Sequence, residues 1–259
     1  MTDHDRGQID TSAAEVYEAL FVPALFGRFV DPIADSAEIE PADSVVDVAC
    51  GTGALTRTIR SRTSGRVVGV DVNPAMVAVA RRHGGDIEFR EGDATDLAFE
   101  DSAFDLATCQ FGVMFYRDPG RGVAEMARVA RRGTVAVWDS IERSEGYTAM
   151  QELFRNELGD DAAASLNAPF AMGKEGVLED LFETAGVADV SYTSTGGSGR
   201  FTSIDQWVTT EVRGWTLGDS VSDQQLANLV QVARERLSRF ETSDGCVFGM
   251  TAKVANWTS

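Results

Sequence analysis

Four stations along the chain carry residue types and spacings that can do chemistry. The first is Asp47-Val48-Ala49-Cys50-Gly51-Thr52-Gly53. Gly51 and Gly53 permit a sharp turn and let a ligand approach main-chain atoms that a Cβ would shield. Asp47, inside that approach, can meet an ammonium group. The second is Asp71, 18 residues beyond Gly53, a spacing that suits an acid reaching ribose hydroxyls. A carboxylate accepts from two adjacent hydroxyls at once. The third is Asp93 in Gly92-Asp93-Ala94, which either accepts from an adenine amino group or closes a turn on its own backbone. The fourth is Gln110-Phe111. A glycine turn followed by a ribose acid suits a dinucleotide or a nucleoside. A dinucleotide fingerprint wants Gly at position 56, where this chain has Thr56, so a nucleoside is favoured. An NAD(P)-linked oxidoreductase and a non-catalytic nucleoside-binding protein are the alternatives.

Positioning these residues takes a particular order of elements. Val45–Val48 is apolar and β-branched without alternation, apart from Asp47, as in a parallel strand buried on both faces. The pattern predicts strands at about 44–48, 66–71, 87–90, 104–109 and 134–138, with helices at 53–62, from Asn73-Pro74 onward, and at 119–131. The free N–H groups of the helix after the glycines favour an anionic ligand group. Gln110 and Phe111 lie beyond strand 4, at the switch point of a doubly wound sheet, where ligands bind. Met76, on the first turn of its helix, either covers a base or joins the core. Further on the pattern predicts helical segments over 141–172 and 174–185 and a strand at 188–194. The Gly196–Gly199 stretch reads as a plain loop. Helices at 203–213 and 222–239, carrying Trp207 and Trp215, and a strand at 246–255 complete the chain.

The motifs of these stations resemble the class I S-adenosylmethionine-dependent methyltransferases. DVACGTG stands where that family has D/E-x-G-x-G-x-G, with Ala49 in place of one glycine, and Gly92-Asp93-Ala94 matches the family's G-D-A. Asp105, Phe115, Asp118, Glu125, Arg128 and Val129 match a pattern of its small-molecule branch, near the ubiquinone and menaquinone biosynthesis methyltransferases. The resemblance covers about 11–140. It implies an α/β, doubly wound, seven-stranded, mostly parallel sheet of order 3-2-1-4-5-7-6, with strand 7 antiparallel and helical cap insertions. It implies a single domain: an N-terminal helical cap over 1–35, a cofactor-binding core over 36–140 and a substrate-capping part over 141–259. The implied cofactor is S-adenosyl-L-methionine, held by Asp47, Ala49, Gly51, Gly53, Asp71, Val72, Met76, Asp93, Ala94, Gln110 and Phe111. The methyl group would pass to an O, N or C nucleophile of a small molecule by in-line displacement. The cofactor carries the reactive group, and the protein aligns it and dries the site.

Composition narrows the rest. The chain has 259 residues and a net charge of −18, which disfavours nucleic acid and anionic membranes as partners. That acidity fits either an ordinary solvated surface or a high-salt habitat. The polar, acidic N-terminus and the absence of a long apolar run predict a soluble, cytoplasmic protein, with a homodimer possible. Cys50, Cys109 and Cys246 show no CxxC spacing and read as small core or pocket-wall residues. Two widely separated histidines offer no metal site. Candidates for a general base are His4, Tyr17 and Tyr116, with Asp139 and Glu142 behind them.

Overall fold

The computed structural model describes residues 11–214, 217 and 220–258. His4 and Trp215 lie outside them. β1 (Val45–Val48) and β2 (Val67–Asp71) are buried at every position, as a sheet covered on both faces demands. β3 (Glu88–Glu91), β4 (Phe104–Gln110) and β5 (Ala130–Trp138) join them, all parallel. β6 (Val190–Phe201) and the two-residue β7 (Glu241–Thr242) both pair antiparallel with β8 (Gly245–Thr258), which also runs antiparallel beside β5. The order is β3-β2-β1-β4-β5-β8-β6. This is the predicted order, with β8 as the seventh strand and β7 an added hairpin arm.

α1 (Thr11–Val16), a π-helical turn at Tyr17–Phe21, α2 (Val22–Ala24) and α3 (Val30–Ser36) form the N-terminal cap. α4 (Ala54–Arg62) and α5 (Pro74–His83) connect the first three strands. Asn73 caps α5, its Oδ1 accepting from Ala75 N at 2.8 Å, and Pro74 fills the first turn, where its missing N–H costs nothing. α6 (Pro119–Val129) lies between β4 and β5. α7 (Glu145–Leu158), α8 (Asp160–Ser165) and α9 (Val177–Thr184) follow β5, and α10 (Ile204–Gly214) and α11 (Asp223–Arg236) separate β6 from β7. One core layer, holding Val135, Val137, Met126 and Phe182, lies on the α6–α9 face. The other, holding Phe29, Ala136, Trp138, Tyr147 and Trp207, lies under the caps.

The Asp105 to Val129 pattern is structural. Asp105 accepts from Ser44 N and Oγ at 2.9 and 2.7 Å, and Asp118 caps α6 through Arg121 N. Arg128 pairs with Glu125 at 2.7 Å and donates to the carbonyls of Leu97 and Phe99. These bonds fasten the loop after β3 to α6. No helix among the described residues is long and apolar enough to cross a membrane.

Two expectations change. Gly196–Gly199 is not a loop: β6 runs straight through it, in register with Thr251 to Phe248. The glycines are needed because rings press on that strand. A Cβ on Gly197 would stand 2.5 Å from the Phe29 ring, and one on Gly199 2.3 Å from Phe248. β5 starts four residues before the expected Thr134, directly off α6, because Ala130, Arg132 and Gly133 already pair with β4.

Candidate functional site

The tips of β1, β2 and β3 converge on Asp71. Its Oδ2 accepts from Gly51 N at 2.8 Å and its Oδ1 from Asn73 N at 2.8 Å. Its main-chain oxygen accepts from Gly92 N at 3.0 Å. Each carboxylate oxygen keeps a further lone pair for a hydroxyl. The side chain is nearly buried, and desolvation raises its pKa against the two backbone hydrogen bonds that lower it.

The two glycines have different tasks. Gly51 has φ +56, and a Cβ there would meet nothing within 4 Å, so a ligand can approach its backbone. Gly53 begins α4 at φ +84, and a Cβ would stand 2.9 Å from the Phe89 ring. Gly53 therefore answers to packing and to its left-handed backbone, not to ligand approach. Ala49 fits by size, but its φ of +54 is left-handed, a cost of roughly 1–2 kcal/mol for a residue with a Cβ.

Asp47 is buried under the loop. Its Oδ2 accepts from Thr56 Oγ1 at 2.6 Å and its Oδ1 from Thr108 Oγ1 at 2.8 Å. Burial pushes its pKa up to about 6, while the two hydroxyls pull the other way. Thr56, which stands at the dinucleotide glycine position, is fully buried and committed to this bond.

Above the loop stands the π-helical turn. Glu18 Oε1 pairs with Arg57 at 2.7 Å, and Arg57 donates to Thr52 O at 2.7 Å. Glu18 Oε2, Thr52 Oγ1 and Gln110 Oε1 are buried without a hydrogen-bond partner. Such atoms carry a desolvation cost until a ligand answers them. Gln110 Nε2 donates to Phe26 O at 2.8 Å, tying the tip of β4 to the cap. Phe111, at φ +55, stacks on Trp138 with centroids 3.6 Å apart. Phe29 meets both rings edge-on at 5.7 and 4.9 Å.

Residues 46–137 match the family described as a methyltransferase domain. That stretch, about a third of the chain, is similar to the family. Over 99 residues the chain is 36% identical to the demethylmenaquinone methyltransferase of Chlorobaculum parvum, covering 38% of this chain and 41% of that protein. The chain spans about two fifths of the length of such curated relatives. Its fold is similar to that of Haemonchus contortus phosphoethanolamine N-methyltransferase 2 in complex with S-adenosyl-L-methionine, with TM-score 0.61 and 16% identity over 98% of this chain and 58% of that one. It is also similar to the YcgJ protein of Bacillus subtilis, with TM-score 0.58 and 17% identity over 89% and 97%.

The remaining expected residues divide. Val72 is 54% exposed beside Asp71, an apolar surface open to a flat ligand. Met76 is half-buried and packs with Ala14, Ala75 and Val79. Asp93 is exposed, with Oδ1 accepting from Thr95 N and Oγ1 at 2.8 and 2.7 Å, which is the turn arrangement. Ala94 is core.

The base candidates fare poorly. Tyr17 stacks on Phe26 at 5.1 Å, and burial together with the Asp71 charge pushes its phenol far up. Tyr17 therefore stays protonated and cannot serve as a base. Tyr116 gives its hydroxyl to a 3.1 Å contact with Cys109 Sγ on the α6 side of the sheet, away from the caps. Its phenol also stays protonated. Asp139 Oδ1 accepts from Ser140 N. Sequence reasoning missed Glu18, Thr52, Arg57 and Trp138. A terminal tryptophan on a buried strand beside Phe111 is the one of these with a readable signal.

Proposed function

We propose that the chain binds S-adenosylmethionine over the tips of β1, β2 and β4 and transfers its methyl group to a small-molecule acceptor. The observation that carries this is the triple anchoring of Asp71 by the Gly51, Asn73 and Gly92 N–H groups. It sets one carboxylate at the crossing of three strand tips with lone pairs to spare. The unpartnered atoms fit the same molecule: Glu18 Oε2 and Gln110 Oε1 are acceptors, which a methionyl ammonium would answer. The names of the relatives, demethylmenaquinone methyltransferases among them, support a small organic acceptor. Commitment of Thr56 to Asp47 speaks against a dinucleotide.

Bound there, the sulfonium supplies an activated methyl group and leaves as a thioether. The chain's own part is to hold and to dry. Asp71 takes the ribose hydroxyls, Val72 offers an apolar face to the base, and Gly51 leaves its backbone open. The Phe111–Trp138 stack and Phe29 exclude water from the tips of β4 and β5, which strengthens every charge interaction inside.

Calorimetric titration with S-adenosylhomocysteine tests the reading. Micromolar binding is expected, weakened at least 100-fold in Asp71→Ala. This follows from two charge-assisted hydrogen bonds at roughly 1.5–3 kcal/mol each. No heat with the wild-type protein refutes it.

A further inference from the structure

The sheet has two edges, and the chain treats them differently. A bare edge offers unpaired N–H and C=O groups to any passing strand, and proteins guard it with short strands, charges, prolines or bulges. β3, at one edge, spans only Glu88–Glu91 and carries Glu88, Arg90 and Glu91. β6, at the other, runs for 12 residues. From Val190 to Gly199 it holds no charged residue and no proline. Its pairing with β8 is unbroken from Val190 to Phe201, so no bulge turns the edge aside. Ser191 to Ser194 and Gly196 are exposed, and no strand among the described residues pairs with the outer side of β6.

One glycine of this strand has no reason within its own chain. Gly197 and Gly199 make room for the rings of Phe29 and Phe248, but a Cβ on Gly196 would meet nothing within 4 Å. Its backbone is not left-handed either. A glycine weakens a strand, and it often marks the close approach of another group. Tyr192 stands on the same face of β6, by the strand period of two, and is 38% exposed. Its ring meets Phe182 of α9 edge-on at 6.2 Å.

Tyr192 and Gly196 complement each other across a twofold axis. Let a second β6 run antiparallel beside the first, with the axis at Ser194. Tyr192 of each copy then lies directly opposite Gly196 of the other. Opposed residues of an antiparallel pair share a face, and an aromatic ring laid over a cross-strand glycine supplies the contacts that the glycine lacks. Thr193 faces Thr195 of the second copy, a favourable cross-strand pair. Arg200 comes opposite Ala188 and beside Asp189, so the charges flanking the neutral stretch meet with opposite sign. The net charge of −18 holds copies apart over most of the surface. Along this uncharged strip two of them can come within hydrogen-bonding reach.

We propose that the chain forms a twofold dimer through its β6 edges, in the register that sets Tyr192 on Gly196 of the second copy, joining the two sheets into one. The interface is isologous, so assembly closes at two copies and leaves neither β6 edge bare. The second copy also braces β6 from its outer side, beneath the Phe29 ring that rests on Gly197.

Sedimentation of the full chain tests this. The mass is expected to rise from 27.9 kDa toward about twice that value as concentration goes from about 1 to about 200 μM. Ser194→Lys sets two ammonium groups against each other on the axis. It should weaken the dimer at least about tenfold, although it lowers the net negative charge. Tyr192→Ser should weaken it roughly fivefold through the loss of two ring contacts. Cysteines report the register, because a disulfide needs the closely spaced Cα atoms of an opposed pair. Under mild oxidation Ser194→Cys should crosslink to itself, and Thr193→Cys only to Thr195→Cys. A wild-type chain that stays at 27.9 kDa throughout overturns the proposal and leaves the edge to an extended segment of another protein. A dimer that Ser194→Lys leaves intact, or that Thr193→Cys crosslinks to itself, overturns it equally. The wild-type mass needs no variant and no S-adenosylhomocysteine, so it stands whether or not the cofactor reading does.

Discussion

Replacing Asp47 with asparagine probes the buried foot of the glycine loop and has a magnitude that follows from its surroundings. Folding moves the carboxyl from its ordinary value of 3.8 up to about 6, chiefly through burial. The folded protein therefore holds a proton that the unfolded chain has released across that window. Stability is fully present below the unfolded value and declines as pH rises through the folded one. About two pH units at 1.36 kcal/mol each give about 3 kcal/mol lost between pH 4 and pH 7. The amide introduced by Asp47→Asn does not titrate. It can accept from one of Thr56 and Thr108 through its oxygen and donate to the other's hydroxyl oxygen through its nitrogen, so the packing is kept. Urea midpoints of both proteins across that range, without cofactor, cancel the contributions of the other acids in the difference. The variant should gain about 3 kcal/mol on the wild type between pH 4 and pH 7. A difference that stays constant with pH would show that Asp47 is not desolvated as the structure has it, and the account of the loop's foundation would go with it.

Other outcomes follow from the same geometry. Ala49→Gly relieves a left-handed backbone and should raise stability by about 1 kcal/mol in chemical denaturation, leaving S-adenosylhomocysteine affinity within twofold. Gly197→Ala drives a methyl group into the Phe29 ring and should cost about 1–3 kcal/mol by the same assay. Gln110→Ala removes the bond to Phe26 and should weaken S-adenosylhomocysteine binding about tenfold by calorimetry. A variant that binds as tightly as the wild type would mean that the tie between β4 and the cap is incidental.

Much of the cofactor half was legible because its signals are local. Val45–Val48 and Val67–Asp71 carry uninterrupted apolar runs, Asn73-Pro74 announces a helix start, and the glycines mark the turn between them. The sheet order followed from the family resemblance and agrees with the observed pairing. What was not legible depends on partners far away in sequence. The glycines at 196–199 look like a loop until Phe29 and Phe248 are seen lying on them. Ala49 looks like a mild change by size, yet its cost is conformational. Tyr17 and Tyr116 looked like bases by type, and only burial shows that neither gives up its proton.

The ring of Phe29 seated on Gly197 ties the N-terminal helices to the edge strand β6. The roof over the strand tips comes from the N-terminal helices, but its seat is an edge strand whose ladder partner is β8. Synthesis therefore delivers the roof before its support. A chain shortened before Gly245 would keep the glycine loop and Asp71, but the cap would have no seat.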